Sequence, residues 1–243
     1  MNSPYSSNEK NRVFLPWTFD AVLFGAGGHA RVLIDCLQCR QPSIALVLLD
    51  PRSTLWKTDL LGVPILGSDE RLPELIRQGV RLFAVAVGSM GDCRRRQQLY
   101  KTALAHDLEP LTIVHPSAVC SRWTNLGAGT QVLPAAVLNA GASTGVNVIV
   151  NSGAIVEHDC ILGDHAHVAT GARLAGGVRV GEGAHIGAGA IVKEGMVIGE
   201  GAIVGAGAVV VKAVPARTVV AGVPARKLRL VEPAPSSLDR VPS

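Results

Sequence analysis

The hydrophobic positions between Ile113 and Val214 recur every six residues, and the phase of this repeat never slips. The second position of each hexad is aliphatic except at Cys120 and Thr144. An α-helix would repeat every 3.6 residues and a two-sided strand every two, so neither explains the pattern. The repeat therefore predicts a parallel β-helix. A small residue follows four positions after the aliphatic one, as at Ala154, Ala166, Ala172, Ala184, Ala190, Ala202 and Ala208.

Each hexad of such a repeat would form one short strand and one corner, and three hexads would close a triangular coil. The aliphatic residues would point into the prism, and each coil would depend on its neighbours for backbone hydrogen bonds. A coil then returns to the same place every eighteen residues. Gly176 follows His158 by eighteen residues, so we expect it one coil above that histidine.

The N-terminal segment has a different pattern, in which apolar strands alternate with amphipathic helices. This alternation is typical of a small parallel sheet of Rossmann type. Residues 61–66, which contain Pro64, suggest a short connection. The predicted strands cover 21–24, 44–49 and 81–87, and the predicted helices cover 30–38, 69–78 and 92–106.

A glycine-rich turn follows the first predicted strand, with the pattern G-x-G-x-x-A from Gly25 to Ala30. Backbone N–H groups at the start of the following helix would suit a phosphate, and Asp50 lies at the spacing expected of a dinucleotide site. However, only about ninety residues precede the repeats, roughly half of a full dinucleotide fold. We therefore favour a site for one nucleotide over NAD, and a purely structural turn remains the alternative.

Composition and charge exclude several classes of function. The 243 residues carry a formal net charge of +4, and 4% of them are aromatic. The one basic run, Arg94-Arg95-Arg96, lies in a predicted helix and is expected to be a solvated face, not a nucleic-acid site. No apolar run has the length and uniformity of a membrane span. Residues 1–19 resemble a polar extension and 231–243 a disordered tail, and five unpatterned cysteines indicate a cytoplasmic protein.

Reactive side chains are rare within the repeats, and most of them cluster between Glu157 and His167. His158 beside Asp159 could act as a general base, and a backbone N–H one coil above could stabilise an oxyanion. The alternative is a metal site at His165 and His167. A β-helix enzyme of the gamma carbonic anhydrase kind uses a different histidine spacing, so we expect no metal.

These motifs together resemble the bacterial sugar O-/N-acyltransferases, which include the sialic acid O-acetyltransferases and the bacillosamine and perosamine N-acetyltransferases. The resemblance spans about Asp20 to Leu228 and is carried by GAGGHA, LLDP, AVGSM, the segment EHDCILGDHAHVATGA and AGVPARKL. It implies a Rossmann-like domain at 20–110, a left-handed β-helix at 111–230 and a homotrimer. It also implies acetyl-coenzyme A (acetyl-CoA) as co-substrate.

The resemblance also implies roles for individual residues. His158 matches the general base, Asp159 the carboxylate that raises its basicity, and Asn151 a position near the acceptor sugar. Where the bacillosamine enzyme has Glu, this chain has Asp159, and Pro51 replaces a second acidic residue, which puts uridine recognition in question. Acetyl-CoA contacts match His167, Gly176, Ala188 and Ala206, and the nucleotide-sugar site matches Gly27, Gly28, His29, Asp50, Pro51 and Gly88.

The expected function is acetyl-CoA-dependent N-acetylation of a UDP-, GDP- or dTDP-linked 4-amino-sugar in surface glycan synthesis. The alternatives are O-acetylation of sialic acid or a related sugar, and a non-enzymatic scaffold that binds a nucleotide. His158 and His167 are nine residues apart, which is half a coil. They should therefore lie on opposite sides of the prism, and we expect neighbouring subunits to share each site.

Overall fold

The computed structural model describes residues 19–89 and 91–231, so the predicted extension up to residue 18 and most of the predicted tail lie outside the described residues. The N-terminal domain contains one six-stranded sheet in the order β3-β4-β2-β1-β5-β6. Its elements are β1 (Ala21–Phe24), α1 (Gly28–Arg40), β2 (Leu46–Leu49), β3 (Asp59–Leu60), β4 (Val63–Gly67), α2 (Leu72–Arg77), β5 (Leu82–Val85), α3 (Arg94–Ala105) and β6 (Glu109–Pro110), with 3₁₀ turns at Ser53–Leu55 and Asp69–Arg71.

The predicted alternation of strands and helices is confirmed, but the connection predicted at 61–66 is wrong. That segment contains β4, which pairs in parallel with β2 and in antiparallel with the two-residue β3. Pro64 is compatible with a strand here because it precedes Ile65, the first residue of β4 that pairs with β2, so its missing N–H interrupts no part of that ladder. The proline therefore misled the prediction through its usual absence from inner strands.

The hexads form a left-handed β-helix of three faces, whose strands from β7 to β22 stack in parallel at intervals of eighteen residues. At the C-terminal end, β23 adds to β21 after sixteen residues and β24 pairs with β23 in antiparallel. The first face contains β7, β9, β12, β15, β18, β21, β23 and β24; the second contains β8, β10, β13, β16, β19 and β22; and the third contains β11, β14, β17 and β20. Their bounds are β7 Ile113–Val114, β8 Val119–Cys120, β9 Gln131–Val132, β10 Val137–Leu138, β11 Ser143–Thr144, β12 Ile149–Val150, β13 Ile155–Val156, β14 Ile161–Leu162, β15 His167–Val168, β16 Arg173–Leu174, β17 Arg179–Val180, β18 His185–Ile186, β19 Ile191–Val192, β20 Val197–Ile198, β21 Ile203–Val204, β22 Val209–Val210, β23 Thr218–Ala221 and β24 Arg226–Leu230.

The prism interior is the column of aliphatic and small residues that the repeat predicts. Val156, Val168 and Ala172 are typical members, each with no exposed surface. Thr144 is one of the two exceptions in the sequence pattern, and its hydroxyl pairs with that of Thr130 at 2.9 Å. A buried hydroxyl costs free energy when it is unpaired, so each threonine makes the other tolerable inside the prism.

The N-terminal domain packs on the first face of the β-helix. Ile113, Leu133 and Ile149 join the core of α1 and the parallel sheet, which places the junction in one continuous apolar cluster. The helix α3 contributes Arg96, which is completely buried. The predicted solvated face is therefore wrong for Arg96, although Arg94 and Arg95 remain half exposed.

Arg96 is buried because the corner between the third and first faces supplies acceptors for its guanidinium. It donates hydrogen bonds to the backbone carbonyls of His165 and Asn147, which occupy equivalent places in successive coils. No carboxylate of the described residues forms an ion pair with it, and burial lowers the pKa of Arg96 to about 10. Sequence alone gave no sign of this, because the partners, two main-chain carbonyls and the side-chain oxygen of Asn147, are distant along the chain.

Candidate active site

His158 and Asp159 lie side by side at the corner between the second and third faces. His158 Nδ1 is 2.9 Å from Asp159 Oδ2, and both side chains are largely exposed. The backbone of Asp159 has φ +58°, a left-handed conformation that aspartate tolerates better than most residues. The hydrogen bond to Asp159 raises the pKa of His158, and the charges of Glu157 and Glu194 act in the same direction.

Two glycines make room for this pair, one coil above and one coil below. A Cβ at Gly176 would lie 2.5 Å from Cε1 of His158, so any other residue would displace the imidazole. A Cβ at Gly141 would likewise collide with the Asp159 carboxylate. The Gly176 N–H makes no hydrogen bond to another described residue, while the next N–H, of Gly177, donates to the His158 carbonyl at 2.9 Å. The placement of Gly176 beside His158 agrees with the eighteen-residue prediction.

His167 lies on the first face, beneath the N-terminal domain and nearly buried. Its Nδ1 is 2.9 Å from the Ser89 carbonyl and 3.0 Å from the Ser89 hydroxyl, and its Nε2 is 3.3 Å from Asn151 Nδ2. Burial, followed by the neighbouring His185, lowers the pKa of His167 to about 3. The ring is therefore neutral throughout the physiological pH range.

The glycine-rich turn leads into α1, as expected of a phosphate site. Gly25 has φ +110°, and a Cβ there would lie 2.8 Å from Val87, so glycine is required. Gly27 precedes the first residue of α1, Gly28, which is exposed. His29 Nε2 lies 2.7 Å from Gln131 Oε1 on the first face, and burial lowers the pKa of His29 to about 4.

Asp50 supports this turn from the end of β2. Its carboxylate accepts hydrogen bonds from the Ala26 N–H at 2.8 Å and from the Arg52 side chain at 2.8 and 2.9 Å. The Arg52 hydrogen bonds hold the pKa of Asp50 at about 2, so Asp50 is ionised. Pro51 and Gly88 are exposed nearby in the chain, at the carboxyl ends of β2 and β5, where ligands bind in sheets of this type.

The residues matched to acetyl-CoA do not form one cluster within the chain. Gly176 lies with His158 at the corner between the second and third faces. Ala188 and Ala206 lie at the corner between the first and second faces, in successive coils, and both are exposed. These two corners flank the second face, and His167 lies on the first face. His158 and His167 are therefore on different sides of the prism, as the half-coil spacing predicts.

Several residues around these groups had no role in the sequence predictions. Gly141 could have been found, because it lies eighteen residues before Asp159 and the repeat fixes that register. Ser89 and Gln131 could not, since their contacts join distant segments with no repeat between them. Arg52 pairs with Asp50 two residues away, a contact that no motif in the sequence marked. Gln131 is fully buried and donates to the Val85 carbonyl at 2.9 Å while holding His29.

The histidines considered as a metal pair are both engaged within the chain. His165 Nδ1 lies 3.0 Å from Asn147 Nδ2, and His167 has the partners given above. Among the described residues, Asp35, Cys39 and His115 also come close enough to share an ion. The Nδ1 atom of His115 accepts the Ser117 N–H at 3.0 Å, so Nε2 would bind an ion only with its proton displaced.

No helix within the part of the chain that the structure describes has both the length and the apolar character to cross a membrane. Residues 20–103 match the PglD N-terminal domain family. A comparison with curated protein sequences found no match.

Solved structures extend the likeness to most of the chain. A perosamine N-acetyltransferase variant from Caulobacter crescentus, in complex with CoA and GDP-perosamine, is 40% identical, with a TM-score of 0.80 over 86% of this chain and 97% of that one. The acetyltransferase domain of PglB from Neisseria gonorrhoeae FA1090, in complex with acetyl-CoA, is 34% identical, with a TM-score of 0.80 over 87% and 100%. WeeI from Acinetobacter baumannii AYE is 26% identical, with a TM-score of 0.70 over 87% and 100%. The chain therefore belongs to the family of left-handed β-helix sugar acetyltransferases and is an acyltransferase.

Proposed function

We propose that this protein transfers the acetyl group of acetyl-CoA to the amino group of a nucleotide-linked 4-amino-deoxysugar in surface glycan synthesis. The observation that carries the proposal is the His158–Asp159 pair with Gly176 against the imidazole. The relatives support the substrate class, because one was solved with CoA and GDP-perosamine and another with acetyl-CoA. A GDP-linked amino-sugar is the first acceptor to test.

The geometry of the pair supports Nε2 as the nitrogen of His158 that acts as the base. An ionised carboxylate has no proton to donate and can only accept hydrogen bonds. The hydrogen bond to Asp159 therefore requires the proton of the neutral ring to be on Nδ1. Nε2 then has a free lone pair and can remove a proton from the acceptor amine as it attacks the thioester carbonyl. The C–S bond breaks as the amide forms, and CoA leaves as the thiol after protonation of its sulfur.

The Gly176 N–H is the proposed donor to the oxyanion that forms on the thioester carbonyl. It has no partner among the described residues, and it belongs to the residue that contacts His158. A donor fixed in the backbone needs no rearrangement as negative charge develops. The mechanism needs no acyl-enzyme. The thiol near the pair, Cys160, is a poor nucleophile because it is completely buried and burial raises its pKa.

We further propose that the active protein is a homotrimer in which neighbouring chains complete each site. The outward column of the second face is apolar except at the exposed Arg173. Val119 is 60% exposed and Ile191 41% exposed, and Val137, Ile155 and Val209 are half-buried. An exposed apolar patch of this kind marks an interface. Covering the second face would bring the His158 corner of one chain to the Ala188 and Ala206 corner of the next.

The remaining site assignments follow from this arrangement. Gly27, Gly28, His29, Asp50, Pro51 and Gly88 would hold the nucleotide-sugar at the carboxyl ends of the parallel strands, with acetyl-CoA along the β-helix. Five free cysteines and the use of acetyl-CoA favour a cytoplasmic enzyme. O-acetylation of a sialic acid and a non-enzymatic scaffold are the alternatives, and the intact base and carboxylate favour catalysis.

The test is turnover of the purified protein with acetyl-CoA and a panel of GDP-, UDP- and dTDP-linked 4-amino-sugars, with the corresponding 4-hydroxy sugars and sialic acid as controls. Release of the free CoA thiol and the mass of the acetylated product are measured. We expect N-acetylation of an amino-sugar and no product from its hydroxyl analogue. Preferential acetylation of sialic acid would favour the O-acetyltransferase, and nucleotide binding without any turnover would favour the scaffold.

A further inference from the structure

The first coil of the β-helix, residues 113–130, exposes a cation and a large aromatic ring at the corner between the second and third faces. Arg122 Cζ lies 4.9 Å from the centroid of the Trp123 ring, and the ring is still 67% exposed. Arg122 is also exposed and forms no ion pair with another described residue. Trp and Arg are among the residue types most enriched at the energetic centres of protein interfaces. The proposed active site uses neither of these two residues.

Arg122 and Trp123 lie on the same corner as the proposed catalytic pair. The strands that precede the two corners, β8 and β13, both pair in parallel with β10, so Trp123 lies two coils before Asp159. Adjacent strands are about 4.8 Å apart, which separates the two positions by about 10 Å along the prism. The exposed Arg–Trp pair therefore belongs to the edge of the chain that carries His158.

The other corner of the same coil, between the first and second faces, carries a patch of opposite charge. The α1 patch consists of Asp35 and Cys39 from α1 and of His115 and Pro116 from the corner. Ligand atoms of Asp35, Cys39 and His115 all lie within 4.8 Å of one another, and Pro116 is exposed beside them in the chain. Asp35 is exposed and forms no ion pair with another described residue.

We propose that Arg122 and Trp123 of one chain dock on the α1 patch of the next chain. The two corners flank the second face, which is the face that the proposed trimer covers. When three second faces pack around one axis, the second–third corner of each chain meets the first–second corner of its neighbour. Both surfaces belong to the first coil, so they meet at the same height. This inference rests on the proposed function, because that function places an active site in the same cleft between chains.

The two surfaces are complementary in their chemistry. The Arg122 guanidinium would pair with the Asp35 carboxylate, and the Trp123 ring would pack on Pro116, which removes a large apolar surface from water. Arg31 and Arg40 are also exposed on α1 and flank Asp35 along the helix. The contact therefore depends on Asp35 facing the incoming guanidinium, and charge reversal tests this dependence.

The helix α1 connects this contact to the proposed acceptor pocket. It begins at the glycine-rich turn, where His29 contacts Gln131 in the second coil, and its last turns pack beside Ile113 in the first coil. A neighbouring chain that holds the end of α1 would hold the N-terminal domain over its own His158 corner. Docking at the first coil would thus fix the distance between the acceptor pocket of one chain and the proposed base of another.

The first experiment uses Cys39 as a natural probe of the contact. Arg122→Cys protein is treated with a short bis-maleimide, which joins two nearby thiols, and is analysed by denaturing electrophoresis. We expect covalent dimers and trimers, because each chain would contribute one thiol to each of two contacts. They should disappear in Arg122→Cys/Cys39→Ser, and Arg179→Cys on the exposed third face should give none. Absence of crosslinked chains from Arg122→Cys, or their persistence without Cys39, would overturn the proposal.

The second experiment measures the urea concentration at which the trimer dissociates, by size-exclusion chromatography with light scattering. Arg122→Glu and Asp35→Arg should each lower it, because each change places like charges together. The double variant Arg122→Glu/Asp35→Arg should recover most of the loss, since it restores the pair with reversed charges. Trp123→Ala should lower it more than either charge reversal. Arg179→Glu is the matched control on an exposed cation outside the contact.

The outcomes separate this contact from the proposed function. Additive losses in the double variant would overturn the pairing of Arg122 with Asp35, and an unchanged midpoint in Trp123→Ala would overturn the docking of the ring. A monomeric wild type would reject the proposed trimer together with this contact. A trimer that none of these substitutions affects would reject the contact alone.

Discussion

The β-helix and the N-terminal domain position their functional residues in different ways. In the β-helix, a fixed eighteen-residue register places Gly141 and Gly176 on either side of the His158–Asp159 pair. In the N-terminal domain, the glycine-rich turn depends on Asp50, Arg52 and Gln131, which come from distant segments. The proposed catalytic geometry in the β-helix therefore follows from the repeat, whereas the proposed acceptor site depends on how the two domains pack.

The largest expected effect is on the β-helix side of this comparison. His158→Ala should lower kcat by about a hundredfold or more, because it removes the proposed general base. The fold should survive, since His158 is an exposed residue at a corner. Steady-state kinetics and acetyl-CoA binding by calorimetry measure the two properties separately. Activity within a few-fold of the wild type would remove His158 from the mechanism.

The next largest effect is expected from a substitution that weakens the packing between the two domains. Arg96→Ala removes the donor to the carbonyls of His165 and Asn147. It also creates a cavity at the domain interface. We expect a loss of about 3 kcal/mol in the free energy of unfolding, measured by chemical denaturation. Arg95→Ala is the matched control, because its pair with Asp69 is exposed and should be worth about 1 kcal/mol or less. Equal effects of the two substitutions would contradict the role of Arg96.

A smaller effect separates the two substrates. Asp50→Ala removes the acceptor of the Ala26 N–H and should loosen the glycine-rich turn. KM for the nucleotide-sugar should rise about tenfold, the effect of one lost hydrogen bond, while KM for acetyl-CoA stays nearly constant. The opposite pattern, or tight binding of NAD in calorimetry, would favour the dinucleotide interpretation of the turn.

The smallest effect concerns the tuning of His158. Only the neutral imidazole can accept a proton, so the kcat/KM profile should rise with pH through the pKa of His158, which Asp159 raises. Asp159→Asn removes this influence, so the rise should move to lower pH while kcat falls less than in His158→Ala. A profile that stays in place would mean that another group controls the rise.

The sequence predicted the β-helix well because its period, its buried small residues and the stacking of Gly176 on His158 all follow from one repeat. It failed at β4, where Pro64 precedes the first residue that pairs with β2, and at Arg96, which is buried against oxygens of His165 and Asn147. Ser89 and Gln131 were also missed, since no local pattern records which residues meet across a domain junction. The sequence therefore did not predict the long-range packing between the proposed acceptor pocket and the β-helix.

The most direct test of the central claim is whether the two regions complete one site across neighbouring chains. His158→Ala protein and an Asn151→Ala/His167→Ala double variant are each purified, unfolded, mixed and refolded together, with each variant refolded alone as the control. Some interfaces of a mixed trimer would pair an intact His158 with an intact Asn151 and His167. We predict activity well above that of either parent. If mixed trimers form and remain as inactive as their parents, these residues do not meet across a shared interface.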